Sequence, residues 1–177
     1  MIFLKMRKDR TEDVAPSGYQ QPLILAQMMN TMITIIQRVT TAHVSVDNQI
    51  IGKIDTGIMA LVAVEKEDSE KQAERLLERI LNYRIFEDVT GRMNLSLLDI
   101  NGGLLLVPQF TLAADTQKGN RPSFTSAAPP EHGKRLFGYL QDLALTIYPL
   151  VQFGRFGADM QVALINDGPV TFTLRSH

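Results

Sequence analysis

The 177-residue chain contains no cysteine. This absence excludes a disulfide framework, a thiol nucleophile and a thiolate metal site. Long apolar runs are also missing, since none approaches the roughly 20 residues that a helix needs to cross a bilayer. A chain without disulfides or a membrane-spanning run fits the cytosol, so we expect a cytoplasmic protein with no membrane partner.

An excess of charge of one sign is missing as well. The 18 Lys and Arg residues balance 19 Asp and Glu residues, and the pI is about 6.3. Broad binding to nucleic acid, DNA included, is not expected, because it needs an extended basic face. Recognition of one end of an RNA needs only a few local cations. Five residues are candidates for these cations, and each can equally be an ordinary charge on the surface: Lys118, Arg121, Lys134, Arg135 and Arg155.

The usual hydrolytic motifs are absent too. The three histidines are His43, His132 and His177, and none has Cys, Asp or His at metal-ligand spacing. There is no Gly-x-Ser-x-Gly nucleophile elbow and no phosphate-binding glycine loop. We therefore expect no metal site, and a hydrolase built on this chain would work without a Ser-His-Asp triad.

What the chain does contain is ordinary for one globular domain, with 45% hydrophobic and 21% charged residues. The beginning differs from the rest, because Pro16 and Gly18 interrupt any periodic pattern. We expect residues 1–31 to be a disordered leader or a misassigned start, with Met32 as the alternative initiator. Residues 32–177 are expected to form the single domain.

The spacing of apolar residues predicts two main helices, Ser69–Tyr83 and Pro130–Ile147. The first opens on a capping box between Ser69 and Gln72, and the second begins with a proline. Two helices among many strands indicate an α+β fold. Strands are predicted at Ile33–Val39, Ala42–Val46, Ile50–Ile54, Ile58–Val64, Leu104–Val107, Val151–Phe153, Met160–Ile165 and Val170–Leu174.

The tail sequence Asn166-Asp167-Gly168-Pro169-Val170-Thr171 separates the last two of these strands. Asn-Asp-Gly alone predicts a tight hairpin turn. The proline that follows opposes this interpretation, because it has no N–H for the strand ladder and fixes φ at about −65°. The alternatives are an ordinary turn and a rigid loop whose outward carbonyls grip a ligand.

Further motifs precede this tail. The strand Leu104–Val107 continues into Pro108-Gln109-Phe110-Thr111-Leu112, and Gly119-Asn120-Arg121-Pro122-Ser123-Phe124 and Gly154-Arg155-Phe156-Gly157-Ala158-Asp159-Met160 follow. Together with the tail, this ordered set resembles the D-aminoacyl-tRNA deacylases, the D-Tyr-tRNA(Tyr) deacylase family. Members carry a Ser-Gln-Phe-Thr-Leu motif and an Asn-x-Gly-Pro-Val-Thr motif. The resemblance covers residues 32–177.

The resemblance implies a fold and an activity. The fold is a curved, barrel-like, mainly antiparallel sheet with the helices outside, assembled as a homodimer whose active site lies at the subunit interface. The activity is hydrolysis of D-aminoacyl-tRNA at its 3′ end, and of glycyl-tRNA mischarged on tRNA(Ala), which releases the free amino acid and tRNA. This is chiral proofreading in translation quality control, and it implies no cofactor.

By position, the resemblance places Gln109, Phe110 and Thr111 in the catalytic segment. Backbone N–H groups there would form an oxyanion hole, assisted by the 2′-hydroxyl of the terminal ribose. Pro108 has no N–H, so the donors are expected from Gln109 onward. We expect Thr111 to orient or polarise the substrate, because no base lies near it in sequence. Phe110 is open to two interpretations, core packing and stacking on the terminal adenine.

The resemblance assigns substrate binding to the tail. A cis peptide at Gly168–Pro169 would enter the partner subunit's pocket, where its carbonyls meet the α-amino group of the substrate. An L side chain would then strike the backbone, whereas a D side chain or glycine would fit. Arg38, near the start of the first strand, would brace this loop, and Asn166 belongs to the same motif.

Pro108 departs from the family pattern, which has serine at this position. A sibling family that removes L-alanine from mischarged tRNA has Pro-Gln here, whereas Phe110 and Pro169-Val170-Thr171 follow the D-specific pattern. Two alternatives stay open: an L-alanyl-type editing deacylase, and a non-catalytic nucleic-acid-binding dimer that kept the fold.

Overall fold

The computed structural model describes residues 31–176. The expectations for residues 1–30 and for His177 therefore lie outside the described residues. The elements in chain order are β1 (Ile33–Val46), β2 (Gln49–Ile54), β3 (Gly57–Ala63), α1 (Glu70–Asn82), β4 (Phe86–Glu87), β5 (Met93–Leu95), α2 (Leu97–Ile100), β6 (Gly103–Pro108), a 3-10 helix (Phe110–Ala113), α3 (Pro130–Ile147), β7 (Val151–Phe153) and β8 (Gln161–Arg175).

Both predicted helices are present. α1 begins directly after Ser69, whose backbone N–H donates to Oε1 of Gln72 at 3.1 Å, so the predicted capping box is confirmed. α3 has the bounds that its proline signals and apolar spacing predicted. The elements α2, β4, β5 and the 3-10 helix were not predicted, because segments of two to four residues are too short to show a period.

A six-stranded sheet forms the centre of the fold. Its order is β2-β1-β3-β6-β7, and β8 also pairs with β1. β1 is antiparallel to β2, β3 and β8, which agrees with the mainly antiparallel sheet that the family resemblance implies. β6 instead runs parallel to β3 and β7, which the alternation of side chains cannot reveal. β1 is also a single strand of 14 residues where two were predicted.

The two ends of this sheet curl toward each other. Gly52 of β2 lies so close to β7 that an added Cβ would sit 2.8 Å from the carbonyl oxygen of Phe153. A side chain at this position would push the strands apart. Because Gly52 has no side chain, the sheet can approach closure, in agreement with the predicted barrel-like shape.

The two larger parts of the core lie on opposite faces of the sheet. Leu105 and Val107 belong to a small cluster inside the curl. Leu104 and Leu106 point the other way, into a larger cluster that α1 and α3 cover. The helices are therefore packed on the outside of the sheet, as predicted. No helix among the described residues is long and apolar enough to cross a membrane.

Candidate active site

The predicted catalytic segment is a tight turn at the end of β6. The N–H of Gln109 donates to the carbonyl of Val62 on β3 at 2.7 Å. Its side-chain Nε2 donates to Oγ1 of Thr111 at 2.5 Å. The 3-10 helix starts at the next residue. Gln109 thus fixes the turn to the sheet through its backbone and stiffens it through its side chain.

This arrangement decides which N–H groups are free. Because the N–H of Gln109 is bound to Val62, the free donors begin at Phe110, one residue later than the sequence indicated. The first N–H groups of a helix have no acceptor within it. Among the described residues, no hydrogen bond uses the N–H of Phe110 or of Thr111. Two neighbouring donors are therefore available to an oxyanion.

A cavity of about 500 Å³ lies beside this turn. Gln109 and Phe110 form one wall, and the first turn of α3 and the segment Phe156–Met160 form others. The volume falls within the roughly 300–1,000 Å³ that small-molecule sites usually occupy. The turn therefore borders, through Gln109 and Phe110, a space of the size of a small-molecule site.

Phe110 lies at the rim of this cavity and not in the core. Its side chain is 58% exposed, and its ring centroid lies 5.3 Å from that of Phe124, which is 42% exposed. Of the two interpretations, core packing is excluded within this subunit. The ring is free to contact a ligand.

The tail motif lies within one strand and not between two. β8 is continuous over 15 residues and pairs with β1 along most of its length. Asn166 stands opposite Val39, and Thr171 stands opposite Gln37, so β8 carries more residues than β1 over the same distance. The surplus residues 167–170 bulge outward. The prediction of two separate strands is wrong, because both halves of β8 use β1 as their partner. For the same reason the motif is not an ordinary turn between strands.

Gly168 and Pro169 form the exposed tip of this bulge. Gly168 has a φ of +145°, and the peptide bond between the two residues is cis. The side chain of Asn166 closes the base: its Oδ1 accepts the N–H of Val170 at 2.7 Å, and its Nδ2 donates to Oγ1 of Thr171 at 3.1 Å. The amide of Asn166 is therefore committed to the bulge itself. No hydrogen bond from the described residues reaches the carbonyl of Gly168 or of Pro169.

Arg38 on β1 lies beneath the bulge and is only 7% exposed. Its Nε donates to the backbone carbonyl of Asp167 at 3.0 Å and lies 3.1 Å from Oδ2 of the same residue. Its guanidinium also donates to the carbonyl of Ile85 at 2.7 Å. A buried guanidinium needs such acceptors to compensate for lost water. Arg38 therefore ties the bulge to β1 and to the segment that follows α1.

The predicted site residues fall into two separate groups. Gln109 and Phe110 line the 500 Å³ cavity, whereas Gly168 and Pro169 do not. Arg38 and Asp167 instead border a second cavity of about 750 Å³. One subunit alone does not bring the catalytic turn and the bulge together.

The two histidines that the structure describes, His43 and His132, contribute to neither group. Nε2 of His132 lies 3.0 Å from the backbone carbonyl of Asp68. His43 is half-buried on β1, opposite Lys53 of β2. Within residues 31–176, no three His, Cys, Asp or Glu side chains come together as a metal site would require.

Comparison with known families assigns the chain. A family model described as D-Tyr-tRNA(Tyr) deacylase matches residues 35–175. The chain belongs to this family. The D-aminoacyl-tRNA deacylase of Pseudomonas putida is 60% identical over 141 residues, which cover 80% of this chain and 97% of that protein. The enzyme of the same name from Pseudomonas aeruginosa is 58% identical over 145 residues, 82% of this chain and all of that protein. The expectation of an enzyme of the aminoacyl-tRNA hydrolase class is confirmed.

Solved structures share the fold of this chain. The c-Myc DNA Unwinding Element Binding Protein has a TM-score of 0.76 at 40% identity, covering 82% of this chain and 99% of the other. A probable eukaryotic D-amino acid tRNA deacylase has a TM-score of 0.73 at 16% identity and the same coverage. At that lower identity the second likeness shows the fold alone.

The structure adds wall residues that the sequence did not assign. Gly133, in the first turn of α3, lies so close to Phe156 that an added Cβ would be 3.2 Å from Cζ of its ring. Both residues line the cavity. The segment Gly154–Met160 supported the deacylase resemblance without a role, and it forms part of the cavity wall. The glycines on both sides of Phe156 in this segment were the sequence signal that could have indicated a site.

Proposed function

We propose that this chain hydrolyses the ester bond of D-aminoacyl-tRNA and releases the free D-amino acid and tRNA. Relatives about 60% identical over nearly their whole length carry that activity as their name. The observation that carries the proposal is the pair of free N–H groups at Phe110 and Thr111, in a turn whose residues Gln109 and Phe110 line a cavity of about 500 Å³.

In the proposed reaction, water adds to the ester carbonyl carbon, and the π electrons of the C=O bond move to the carbonyl oxygen. The resulting oxyanion accepts hydrogen bonds from the N–H groups of Phe110 and Thr111. Collapse of the tetrahedral species breaks the bond to the ribose oxygen, which takes up the proton that the attacking water gives up, so the products are the free amino acid and the tRNA hydroxyl. The neighbouring 2′-hydroxyl of the substrate assists, so positioning supplies much of the acceleration.

Thr111 has a positioning role in this scheme. Its hydroxyl accepts from Nε2 of Gln109 and contacts no His, Asp or Glu among the described residues. An unactivated hydroxyl without an adjacent base is a poor nucleophile. Gln109 and Thr111 together hold the turn in the conformation that presents the two donors.

Selection against L-amino acids is assigned to the bulge. The carbonyls of Gly168 and Pro169 are exposed acceptors, and a substrate α-amino group is a matching donor. With that group fixed, an L side chain would meet the backbone, and a D side chain or the hydrogen of glycine would not. Ten-thousand-fold discrimination needs only about 5.5 kcal/mol, which overlap with a braced backbone can supply. Arg38 is the brace, and Asn166 closes the base.

We also propose that the enzyme is a homodimer with its active site at the interface. The bulge and the catalytic turn lie apart in one subunit, so a second copy must bring them together. β8 pairs with β1 alone among the described strands, and it exposes Val162, Ile165 and Phe172. Proteins normally cover such an apolar edge strand. A second copy packed there would carry its own bulge toward the first copy's cavity.

Single-turnover hydrolysis of D-Tyr-tRNA, L-Tyr-tRNA and Gly-tRNA tests the activity. We expect the D ester and the glycyl ester to be lost and the L ester to be spared, with no effect of a chelator. Hydrolysis of L-alanyl-tRNA with the D ester spared would instead establish the L-alanyl-type editing alternative, which Pro108 motivates.

The non-catalytic alternative rests on Pro108 and on the fold shared with the c-Myc DNA Unwinding Element Binding Protein. Its prediction is retention of nucleic-acid binding with no hydrolysis of any of the esters. The same assay therefore decides it. The intact tail motif favours the enzyme, because loss of function should allow sequence changes in both the Pro108 segment and the tail, and not in one alone.

A further inference from the structure

Two exposed aromatic rings stand at the mouth of the 500 Å³ cavity. Phe110 lines the cavity, and Phe124 packs against Phe110 with the ring planes tilted by 48°. Phe124 itself does not line the cavity. The two rings therefore continue the cavity outward as an apolar platform that the described chain leaves uncovered.

A small hairpin that ends one residue before Phe124 carries two cations. Asp115 and Ser123 pair through two backbone hydrogen bonds of 2.8 and 3.0 Å, which close the hairpin one residue before Phe124. Lys118 and Arg121 lie at its tip, are exposed and form no ion pair among the described residues. The one carboxylate of the hairpin, Asp115, accepts the N–H of Gln117 at its base.

We propose that this platform binds the nucleotides that precede the terminal one in a single-stranded RNA 3′ end. The base next to the terminal nucleoside stacks on Phe124, and its phosphates meet Lys118 and Arg121. This inference rests on the proposed function, in which the cavity receives the terminal nucleoside.

Aromatic stacking beside a short basic element is the usual chemistry of single-strand binding. An apolar partner surface would account for the rings but not for two unpaired cations at the same edge. The near-zero net charge of the chain also fits, because a local cation pair suffices for one strand end.

Binding of the 5′-fluorescein-labelled RNA tetramer ACCA tests the inference by anisotropy, independently of hydrolysis. Phe124→Leu keeps an apolar contact with Phe110 but removes the stacking face, and we expect Kd to rise between about 5- and 150-fold. Phe124→Trp should bind like the unmodified protein. Lys118→Ala with Arg121→Ala should lower the slope of log K against log salt by about 0.7 per lost phosphate contact.

Matched controls are an exposed apolar side chain and an exposed cation elsewhere. Leu145→Ala on α3, where Leu145 is 58% exposed, and Lys71→Ala on α1 should leave ACCA binding unchanged. Unaltered binding by Phe124→Leu, or no measurable binding by the unmodified protein, would overturn the inference. So would a loss of subunit association in Phe124→Leu, measured by sedimentation, because the platform would then be a contact between copies.

Kinetics separate this inference from the proposed function. Phe124→Leu should lower kcat/KM for D-Tyr-tRNA but not for D-tyrosyl-adenosine, which lacks the preceding nucleotides. An equal loss on both substrates would assign Phe124 to the cavity and refute the platform. If the protein hydrolyses neither ester but the variant still binds ACCA more weakly, the platform stands and the proposed activity falls.

Discussion

Two mechanisms assign different roles to Thr111, one as a positioning residue and the other as a nucleophile. Its hydroxyl accepts a hydrogen bond from Gln109 and has no acid or base partner among the described residues. We expect Thr111→Ala to fold normally and to retain activity, with a loss below about 100-fold, because removing a positioning contact costs less than removing a nucleophile. Single-turnover hydrolysis of D-Tyr-tRNA measures this, with Thr146→Ala on α3 as the matched control. Complete loss, with folding and tRNA binding intact, would make Thr111 an essential group.

Asp68 is a residue whose protonation should change stability. Burial raises its pKa from 3.8 to about 6, and the nearby Glu65 carboxylate adds to this, while the hydrogen bond from the N–H of Glu65 opposes it. The folded state therefore holds a proton that the unfolded state releases. The stability that this provides is full below pH 4 and is lost as pH rises to about 6.

Asp68→Asn should remove this pH dependence. Its amide oxygen can still accept from Glu65, but it cannot titrate. From pH 4 to pH 7, the variant should gain about 2–3 kcal/mol relative to the unmodified protein, because each unit of pKa shift of this buried group corresponds to about 1.4 kcal/mol. Urea unfolding at several pH values measures this. The exposed Asp142→Asn should follow the unmodified profile, and a parallel Asp68→Asn profile would contradict the assignment.

Single residues were the least predictable level. The sequence placed Gln109, Phe110 and Thr111 together because they are adjacent. It could not show that Val62 occupies the N–H of Gln109, since that bond depends on a strand distant in sequence. The exposure of Phe110 was also open, because an aromatic residue after a buried strand can pack in the core or lie at the rim of a cavity.

Elements were predicted well where their period was long. α1 and α3 carry enough turns for the apolar stripe and the end signals to agree. The prediction of two separate strands in the tail was wrong because Asn-Asp-Gly is a hairpin signal. Only the register against β1 shows that the same residues bulge from one continuous β8.

α3 offers a matched pair of glycines that tests the cavity. At Gly133 an added Cβ would be 3.2 Å from the Phe156 ring, whereas at Gly138 nothing lies within 4 Å. We expect Gly138→Ala to stabilise the protein by about 0.5–1 kcal/mol through helix propensity, with unchanged kinetics. Gly133→Ala should push Phe156 into the cavity and raise KM for D-Tyr-tRNA several-fold. Thermal unfolding and steady-state kinetics check both, and equal KM values would remove this cavity from the site.

At the scale of the whole molecule, the fold class followed from counting elements, and the barrel-like shape followed from the family resemblance. The composition could not indicate closure, which depends on the close approach of Gly52 to Phe153. The separation of the catalytic turn from the bulge was equally invisible, because sequence order says nothing about which cavity a loop enters. In the proposed mechanism, that separation leaves the site of a single subunit incomplete.

Co-expression of two disabled subunits tests whether the site is shared. Phe110→Pro removes one proposed oxyanion donor. Gly168→Ala disturbs the bulge, since its Cβ would lie 2.6 Å from Cγ2 of Val170. Each variant alone should be inactive. In a two-fold dimer, random mixing makes half of the dimers mixed, and each mixed dimer has one intact site, so about a quarter of the activity should return. A site contained within one subunit would show no recovery, because every chain would carry a defect in its own site. Circular dichroism of each variant separates this result from misfolding.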